Sequence, residues 1–169
     1  MIASKIVRHM EQAGIPVVVR QHPRVVAAQR LAASVHVSGY RVAKSVLVEA
    51  DGKRVMAVLP AADIVDPARL AAALGAEQVR ILHESEFLDL FGECEPGAEP
   101  PFGALFGLPV IMDRRLAQAR GPLVFRAGSH EEALEMKPED FVRMEKPRIA
   151  DFAVAAPSIP DFEDDGRWM

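Results

Sequence analysis

Cysteine is almost absent from this sequence, and no long hydrophobic run occurs near its N-terminus. A single cysteine, Cys94, among 169 residues excludes an internal disulfide framework and a cysteine-rich zinc site. The first 14 residues contain only short apolar runs broken by charges, unlike a signal peptide or a membrane span. These absences predict a protein of the reducing cytoplasm that does not enter the membrane.

A strong excess of charge of either sign is also missing. The chain has 20 Lys and Arg residues against 24 Asp and Glu residues, which gives a net charge of −4. No positive field would draw the whole protein onto nucleic acid, so we do not expect DNA as a partner, and RNA binding would need a local basic patch. Half of the residues are hydrophobic, and the length suffices for one domain that buries its own core.

The sequence lacks the common motifs of metal and nucleotide sites. No Walker motif, GxGxxG, GxSxG or HExxH occurs, and the histidines have no metal-ligand spacing. We therefore expect neither a metal nor another cofactor. His22 and His130 follow predicted strands in loops, where binding sites often lie, although each taken alone is more simply a structural residue.

Local patterns predict an irregular alternation of helices and strands. Asp66, Pro67 and Gly75 give one helix an N-cap, a first-turn proline and a C-terminal stop. Asp51-Gly52 predicts a tight hairpin turn. Helices are predicted over 3–13, 25–35, 66–75, 84–92 and 137–144, and strands over 16–21, 40–50, 54–60, 79–82, 108–113, 122–128 and 131–136. This mixture indicates an α+β fold rather than a doubly wound sheet.

The composition changes after residue 146. The last 15 residues, AAPSIPDFEDDGRWM, contain two prolines, four acidic residues and no periodicity. We therefore predict a domain over residues 1–146, followed over 147–169 by a flexible or loosely docked tail.

Two residues are candidates for chemistry. A nucleophilic cysteine needs a lowered pKa, but Cys94 lies between Glu93 and Glu95, which would raise its pKa, so an incidental role is the simpler interpretation. Lys44 lies inside the apolar run VAKSVLV, where burying an ammonium is costly unless it is paired. It is either a solvent-facing residue of an alternating strand or a cation at a pocket for a phosphate or a carbonyl oxygen.

Five segments occur in an order that is similar to a known family. They are VAKSVLVEADGKRVMAVLPA with Lys44, DPARLAAALG, GAEPPFG with a GxxxP pattern at Gly97 and Pro101, LPVIMDRRL with Asp113, and FRAGSH with Gly128. The sequence resembles the YbaK / prolyl-tRNA synthetase-associated editing domain family of aminoacyl-tRNA deacylases over about residues 1–146. The resemblance implies a mixed, partly barrel-like β-sheet flanked by helices.

The resemblance also implies an activity, the hydrolysis of an amino acid from a mischarged tRNA without a metal. Lys44 would hold the 3′-terminal adenosine or its phosphate, and the loop with Gly97 and Pro101 would present backbone amides to the ester carbonyl. Water or the terminal ribose hydroxyl would be the nucleophile. Such a second hydrolytic site is useful because small amino acids differ by only a methyl or a hydroxyl group, which binding alone discriminates poorly.

The remaining substrate-binding residues follow from the same resemblance. They are His22, Ser45, Phe102, Gly103, Asp113, Gly128, Ser129 and His130. The expected partner is the acceptor end of an aminoacyl-tRNA, and an aminoacyl-tRNA synthetase is a further candidate partner.

Departures from the family leave the amino acid open. Val25 and Val26 stand near the place where many members have Thr or Ser, and Ser45 stands where others carry Thr or Asn. Two alternatives to the deacylase remain. One is a non-catalytic tRNA- or nucleotide-binding module of the same fold, and the other is a hydrolase of a different small ester or thioester.

Overall fold

Helices and strands alternate irregularly along the chain. The computed structural model describes residues 4–157, which contain five α-helices and ten β-strands. The helices are α1 (Ser4–Gln12), α2 (Ala28–Ser34), α3 (Pro67–Leu74), α4 (Arg114–Ala117) and α5 (Pro138–Glu145). The strands are β1 (Val18–Gln21), β2 (Val42–Ala50), β3 (Lys53–Pro60), β4 (Asp63–Val65), β5 (Val79–Ile81), β6 (Val110–Asp113), β7 (Leu123–Arg126), β8 (Glu132–Met136), β9 (Arg148–Ala150) and β10 (Ala153–Ala155). Within this range, none of the helices has the length and apolar character needed to span a membrane.

One mixed sheet organises these elements. Its strand order is β1-β8-β7-β2-β3-β6-β9, and β5 pairs with β2 beside this path. The β2–β3, β1–β8, β7–β8 and β2–β5 pairs are antiparallel, whereas β2–β7, β3–β6 and β6–β9 are parallel. β4 and β10 form a second, two-stranded sheet. The predicted α+β fold with a mixed sheet flanked by helices is confirmed.

The central strand β3 is covered on both of its faces. Met56 and Val58 belong to one hydrophobic cluster, and the alternating residues Val55, Ala57 and Leu59 belong to another. Successive side chains of a strand point to opposite faces, so these two clusters lie on opposite sides of the sheet. The continuous apolar run VMAVLP in this strand is therefore the pattern of a strand that is buried on both sides.

The two strongest local signals of the sequence form as predicted. Asp51 and Gly52 have φ angles of 48° and 80°, the left-handed conformation that a tight two-residue hairpin turn requires. The Asp66 carboxylate accepts hydrogen bonds from the amides of Ala68 and Arg69 at 3.0 and 3.2 Å, and α3 ends at Gly75 with a φ of 65°. Both features were predictable from neighbouring residues, and the Asp51 carboxylate additionally accepts hydrogen bonds from the Glu77 and Gln78 amides.

The segment 84–92 differs from the predicted single helix. It contains two short 3₁₀ helices, Glu84–Glu86 and Leu88–Phe91. The Glu86 carboxylate accepts a hydrogen bond from the His83 amide at 2.8 Å and pairs with Arg80 of β5, which fixes the first turn against the preceding strand. These side-chain contacts favour tight separate turns over a continuous helix.

The structure also differs from the predicted tail over residues 148–155. β9 lies parallel to β6, and β10 pairs with β4, a three-residue strand that the sequence did not indicate. Between β9 and β10, Phe152 is fully buried in the hydrophobic cluster that also contains Leu70 and Ile111. Residues 158–169, the rest of the predicted tail, lie outside the described residues. The division of the chain at residue 146 remains a prediction.

Replacing Phe152 with Ala tests whether this segment is part of the stable fold. Removal of a fully buried phenyl ring leaves a cavity, so we expect the free energy of unfolding to fall by about 3–5 kcal/mol. Ile64→Ala in β4 is the matched control, because the Ile64 side chain is 42% exposed and its loss should cost less than about 1 kcal/mol. Denaturant-induced unfolding measures both values, and equal effects of the two substitutions would contradict the prediction.

Candidate functional site

A cavity of about 370 Å³ opens beside the first half of β2. Its wall is formed by β2 from Val42 to Leu47, by the start of α2 and the segment before it, by the end of β7, and by the loop at Gly97. A second rim consists of the segment that follows β5. The cavity therefore lies where the central hairpin meets two loops, and backbone and side-chain groups from distant parts of the sequence meet there.

Lys44 and Ser45 are adjacent residues of β2, and both line this cavity. The Lys44 ammonium donates a hydrogen bond to the Ala61 carbonyl at 3.3 Å, and the Ser45 hydroxyl donates one to the Glu99 carbonyl at 3.2 Å. Burial lowers the pKa of Lys44, and the nearby Asp63 carboxylate opposes this shift. Lys44 is thus a half-buried cation at a cavity wall, and its role in holding a phosphate or a carbonyl oxygen remains a prediction.

A second charged residue, Asp63, interacts electrostatically with Lys44. It is fully buried in β4 and forms an ion pair with Arg115 of α4. Burial raises the pKa of Asp63, whereas Arg115 acts in the opposite direction. Asp63 and Lys44 interact electrostatically, so the cation at the cavity wall has a buried carboxylate in its surroundings.

The loop at Gly97 is fixed to Gly128 by two backbone hydrogen bonds. The Glu95 amide donates to the Gly128 carbonyl, and the Gly128 amide donates to the Ala98 carbonyl, each at 2.9 Å. Gly97 and Gly128 have φ angles of 81° and 97°, a region that residues with a Cβ rarely adopt. The two glycines of the predicted site are therefore parts of one rigid backbone arrangement, of which Gly97 lines the cavity.

His130 and Ser129 support this loop from behind. The His130 ring donates from Nε2 to the Pro96 carbonyl at 2.7 Å, and the His130 amide donates to the Glu95 carboxylate at 2.9 Å. The Ser129 hydroxyl accepts hydrogen bonds from the two amides that follow His130 in the turn. Neither side chain is part of the cavity wall in residues 4–157, so they position the loop rather than a ligand.

The Gly97 amide, which was expected to face the ester carbonyl, already has an acceptor. It donates to the Glu99 carboxylate at 3.0 Å. The Ala98 amide is also engaged, with the Glu95 carbonyl at 2.9 Å. A substrate oxygen can reach the Gly97 donor only after the Glu99 carboxylate moves. The site as it stands is an anion position that is filled by the protein's own side chain.

Three predicted residues that follow Gly97 in the loop turn into the core. Phe102 is fully buried, with its ring centroid 5.1 Å from that of Phe125. A Cβ on Gly103 would lie 2.4 Å from a methyl carbon of Val110, so this glycine permits close packing. Pro101 is buried as well. None of the three lines the cavity within the described residues, in contrast to the expected pocket walls.

Asp113 and His22 are also placed away from the cavity. The buried Asp113 carboxylate caps α4 through the Arg115 amide at 3.0 Å and accepts hydrogen bonds from the Phe152 and Ala153 amides at 3.1 and 2.9 Å. It joins β6 to the segment between β9 and β10. His22 is buried, and its Nδ1 donates to the Pro23 carbonyl at 2.8 Å. Both contacts are structural.

Arg126 lines the cavity, although the sequence analysis did not select it. It ends β7, is 6% exposed, and donates from Nη2 to the Val26 carbonyl at 2.7 Å. The signal was available, because Arg126 follows the apolar residues of PLVF just as Lys44 lies among those of VAKSVLV. The two cations approach the cavity from neighbouring parallel strands, β7 and β2.

Cys94 is half-buried and lies outside the cavity wall. Burial, followed by the charges of Glu99 and Glu93, raises the pKa of its thiol to about 11. Almost no thiolate forms at neutral pH under these conditions, so the structure offers no activation of Cys94 as a nucleophile.

Comparisons with known proteins bear on the family of the chain. Residues 22–144 match the family model of the aminoacyl-tRNA editing domain. The chain is 28% identical over 100 residues to the multifunctional Ser/Thr-tRNA deacylase ProXp-y of Escherichia coli (strain K12), and the match spans 59% of each chain. Less than two thirds of that relative is therefore covered.

Solved structures show the same fold. Hypothetical protein APE2540 superimposes with a TM-score of 0.80 at 20% identity, covering 89% of this chain and 100% of that one. A candidate trans-editing enzyme for prolyl tRNA synthetase gives a TM-score of 0.77 at 18% identity, with 89% and 96% covered. The family match includes every residue that forms the cavity wall described above, and the protein belongs to the aminoacyl-tRNA editing domain family.

Proposed function

We propose that the protein is a trans-acting aminoacyl-tRNA deacylase that hydrolyses the ester bond of a mischarged tRNA. The observation that carries this proposal is the meeting of Lys44, Ser45 and Gly97 at one cavity in a chain of the editing-domain family. The relative in Escherichia coli is named a Ser/Thr-tRNA deacylase, which makes seryl and threonyl esters the first substrates to test.

Charge stabilisation is the main contribution that we assign to these residues. As water or the terminal ribose hydroxyl attacks the ester, the carbonyl oxygen gains negative charge, and donors that are already in position stabilise it. The Gly97 amide is one such donor, because it already holds a carboxylate oxygen at 3.0 Å. The Lys44 ammonium, partly removed from water, is the nearby cation that stabilises the same charge or binds a substrate phosphate.

Glu99 has a defined part in this mechanism. Its carboxylate leaves the Gly97 amide when the ester enters. The developing oxyanion of the ester then accepts the hydrogen bond from Gly97, so one negatively charged oxygen replaces another. Because the neutral ester carbonyl gains less from this donor than the charged transition state does, the exchange favours the transition state over the bound substrate. The displaced carboxylate stays at the cavity wall, where the substrate's α-ammonium group is attracted to it.

A non-catalytic module that binds tRNA or a nucleotide is the second candidate function. It is favoured by one observation, namely that the amides of Gly97 and Ala98 are both occupied within the protein. Such a module would bind charged tRNA without turnover. An aminoacyl-tRNA synthetase as a partner, and a cytoplasmic location, remain predictions.

Substitution of Lys44 with Met tests the deacylase directly. Met preserves the apolar stem but removes the cation, so we expect kcat/KM to fall at least about 100-fold, the size of effect seen when one transition-state donor is lost. The measurement is the release of amino acid from tRNAs charged with Ser, Thr, Ala or Cys.

Lys53→Met is the matched control for this experiment, because Lys53 is an exposed lysine at the other end of the same hairpin. It should deacylate like the unchanged protein. Wild-type protein that binds these charged tRNAs but releases none of the amino acids would contradict the deacylase and support the binding module.

Substitution of Gly97 with Ala tests the rigid loop. A Cβ would have room, because the nearest atom, in the His130 ring, would lie 3.6 Å from it. The φ of 81°, however, costs an alanine about 1 kcal/mol. We expect the loop to shift and kcat/KM to fall about 10- to 100-fold, because small displacements of catalytic groups are costly. Gly14→Ala has a similar φ of 71° and no atom within 4 Å, and it lies away from the cavity. An equal loss of activity in both variants would show that backbone strain alone is responsible.

Replacement of Cys94 with Ser should leave deacylation unchanged. Because its thiol has a pKa of about 11, we also expect wild-type protein to react slowly with iodoacetamide at pH 7 and faster as the pH approaches 11. The two measurements are the rate of amino acid release and the rate of alkylation. Loss of activity in Cys94→Ser would place the thiol in the mechanism.

A further inference from the structure

Arg126 is a buried cation that the proposed mechanism does not use. The residue is 6% exposed, at the end of a strand whose four residues are all buried. Its Nη2 donates to the Val26 carbonyl at 2.7 Å, with a longer contact of 3.5 Å to the Ala27 carbonyl. Its Nη1 is inaccessible and has no hydrogen-bond acceptor in the part of the chain that the structure describes.

The positive charge of this side chain is only partly balanced by the described residues. A guanidinium does not lose its proton in a protein, so Arg126 carries a full positive charge. Burial lowers its pKa, the charge of Glu95 opposes this effect, and the charge of Arg24 adds to it. An ionised donor that is buried without an acceptor costs several kcal/mol, and native proteins rarely retain such a group without a reason.

A purely structural role explains only half of the side chain. The Nη2 contact ties β7 to the segment that precedes α2, for which a single donor is enough. It leaves Nη1 unexplained at a wall that also contains the apolar side chains of Val26, Leu31 and Val42. Arginine presents its donors as a planar fork that matches anionic oxygens, and a fork with one free branch beside a cavity is suited to a ligand.

We propose that Arg126 binds a phosphate group at this side of the cavity. The group must accept hydrogen bonds, because arginine only donates, and it must be anionic to balance the buried charge. The phosphate is the one anionic group that every aminoacylated terminal nucleotide carries, whichever amino acid is attached. Its identity as the last phosphate of an acceptor end rests on the proposed function, and a free nucleotide is the other source of the same group. Lys44 is then available for the ester carbonyl.

Equilibrium binding of adenosine and 5′-AMP to the full chain, followed by NMR chemical shifts, tests the subsite without requiring turnover. One charge-assisted hydrogen bond predicts that AMP binds about 10- to 100-fold more tightly than adenosine. Arg126→Gln should remove this preference, and Arg126→Lys, which keeps the charge without the fork, should keep part of it. Arg30→Gln in α2 removes the same charge from an exposed position and should leave the preference intact.

Three results would overturn the subsite. They are equal affinities for adenosine and AMP, a preference for AMP that persists in Arg126→Gln, and a preference that Arg30→Gln abolishes to the same degree. Thermal unfolding establishes that each variant is folded, and if Arg126→Gln does not fold, a full preference for AMP in Arg126→Lys contradicts a phosphate contact made by the free branch of the guanidinium.

A third ligand separates the two sources of the phosphate. Tighter binding of the trinucleotide CCA than of AMP, dependent on Arg126, supports an acceptor end, whereas equal binding assigns the subsite to a free nucleotide. The subsite and the proposed function can also fail separately. An Arg126-dependent preference for AMP without any deacylation supports the subsite and rejects the deacylase. Deacylation without a preference for AMP supports the deacylase and rejects the subsite.

Discussion

The two backbone hydrogen bonds between Gly128 and the loop at Gly97 are the contacts on which the cavity depends. They connect the end of β7 to a segment about thirty residues earlier in the chain, and they bring Gly97 opposite β2. The Ser45 hydroxyl completes the wall by binding the Glu99 carbonyl from the strand side. Because the contacts with Gly128 join backbone atoms, this part of the wall is fixed without a side chain, which is the preorganisation that charge stabilisation requires.

Features determined by neighbouring residues were predictable from the sequence, and features determined by distant pairing were not. Asp66, Gly75 and the Asp51-Gly52 turn are set by local backbone conformation, and all formed as expected. β4, β9 and β10 have three residues each and are too short for a periodic pattern. Their stability comes from partners elsewhere, such as the Asp113 carboxylate, which accepts hydrogen bonds from the amides of Phe152 and Ala153 at the start of β10.

The candidate site shows the same division. Lys44 was recognisable because a cation inside an apolar strand is costly to bury. The same argument applies to Arg126, but a charged residue at the end of a strand is a weaker signal than one inside it. Phe102 and Gly103 were assigned to the pocket because they follow Gly97 in the loop, yet both turn into the core. Adjacency in sequence does not give the direction of a side chain, so the loop motif predicted a wall that includes Gly97, which lines the cavity, and also Phe102 and Gly103, which do not.

Under the proposed function, the charges at the cavity must allow a mildly acidic protein to act on a polyanion. Lys44 and Arg126 line the cavity together with Glu84 and Glu99, so the formal charge of the wall is balanced and exerts little long-range attraction. Selectivity must then arise at short range, where burial weakens screening by water and salt. A phosphate or an oxyanion gains from the two cations only when it is inside the cavity, and the two carboxylates repel anions that are placed elsewhere along the wall. If the protein acts as proposed, the arrangement favours one small, correctly oriented end of an RNA over the rest of its backbone.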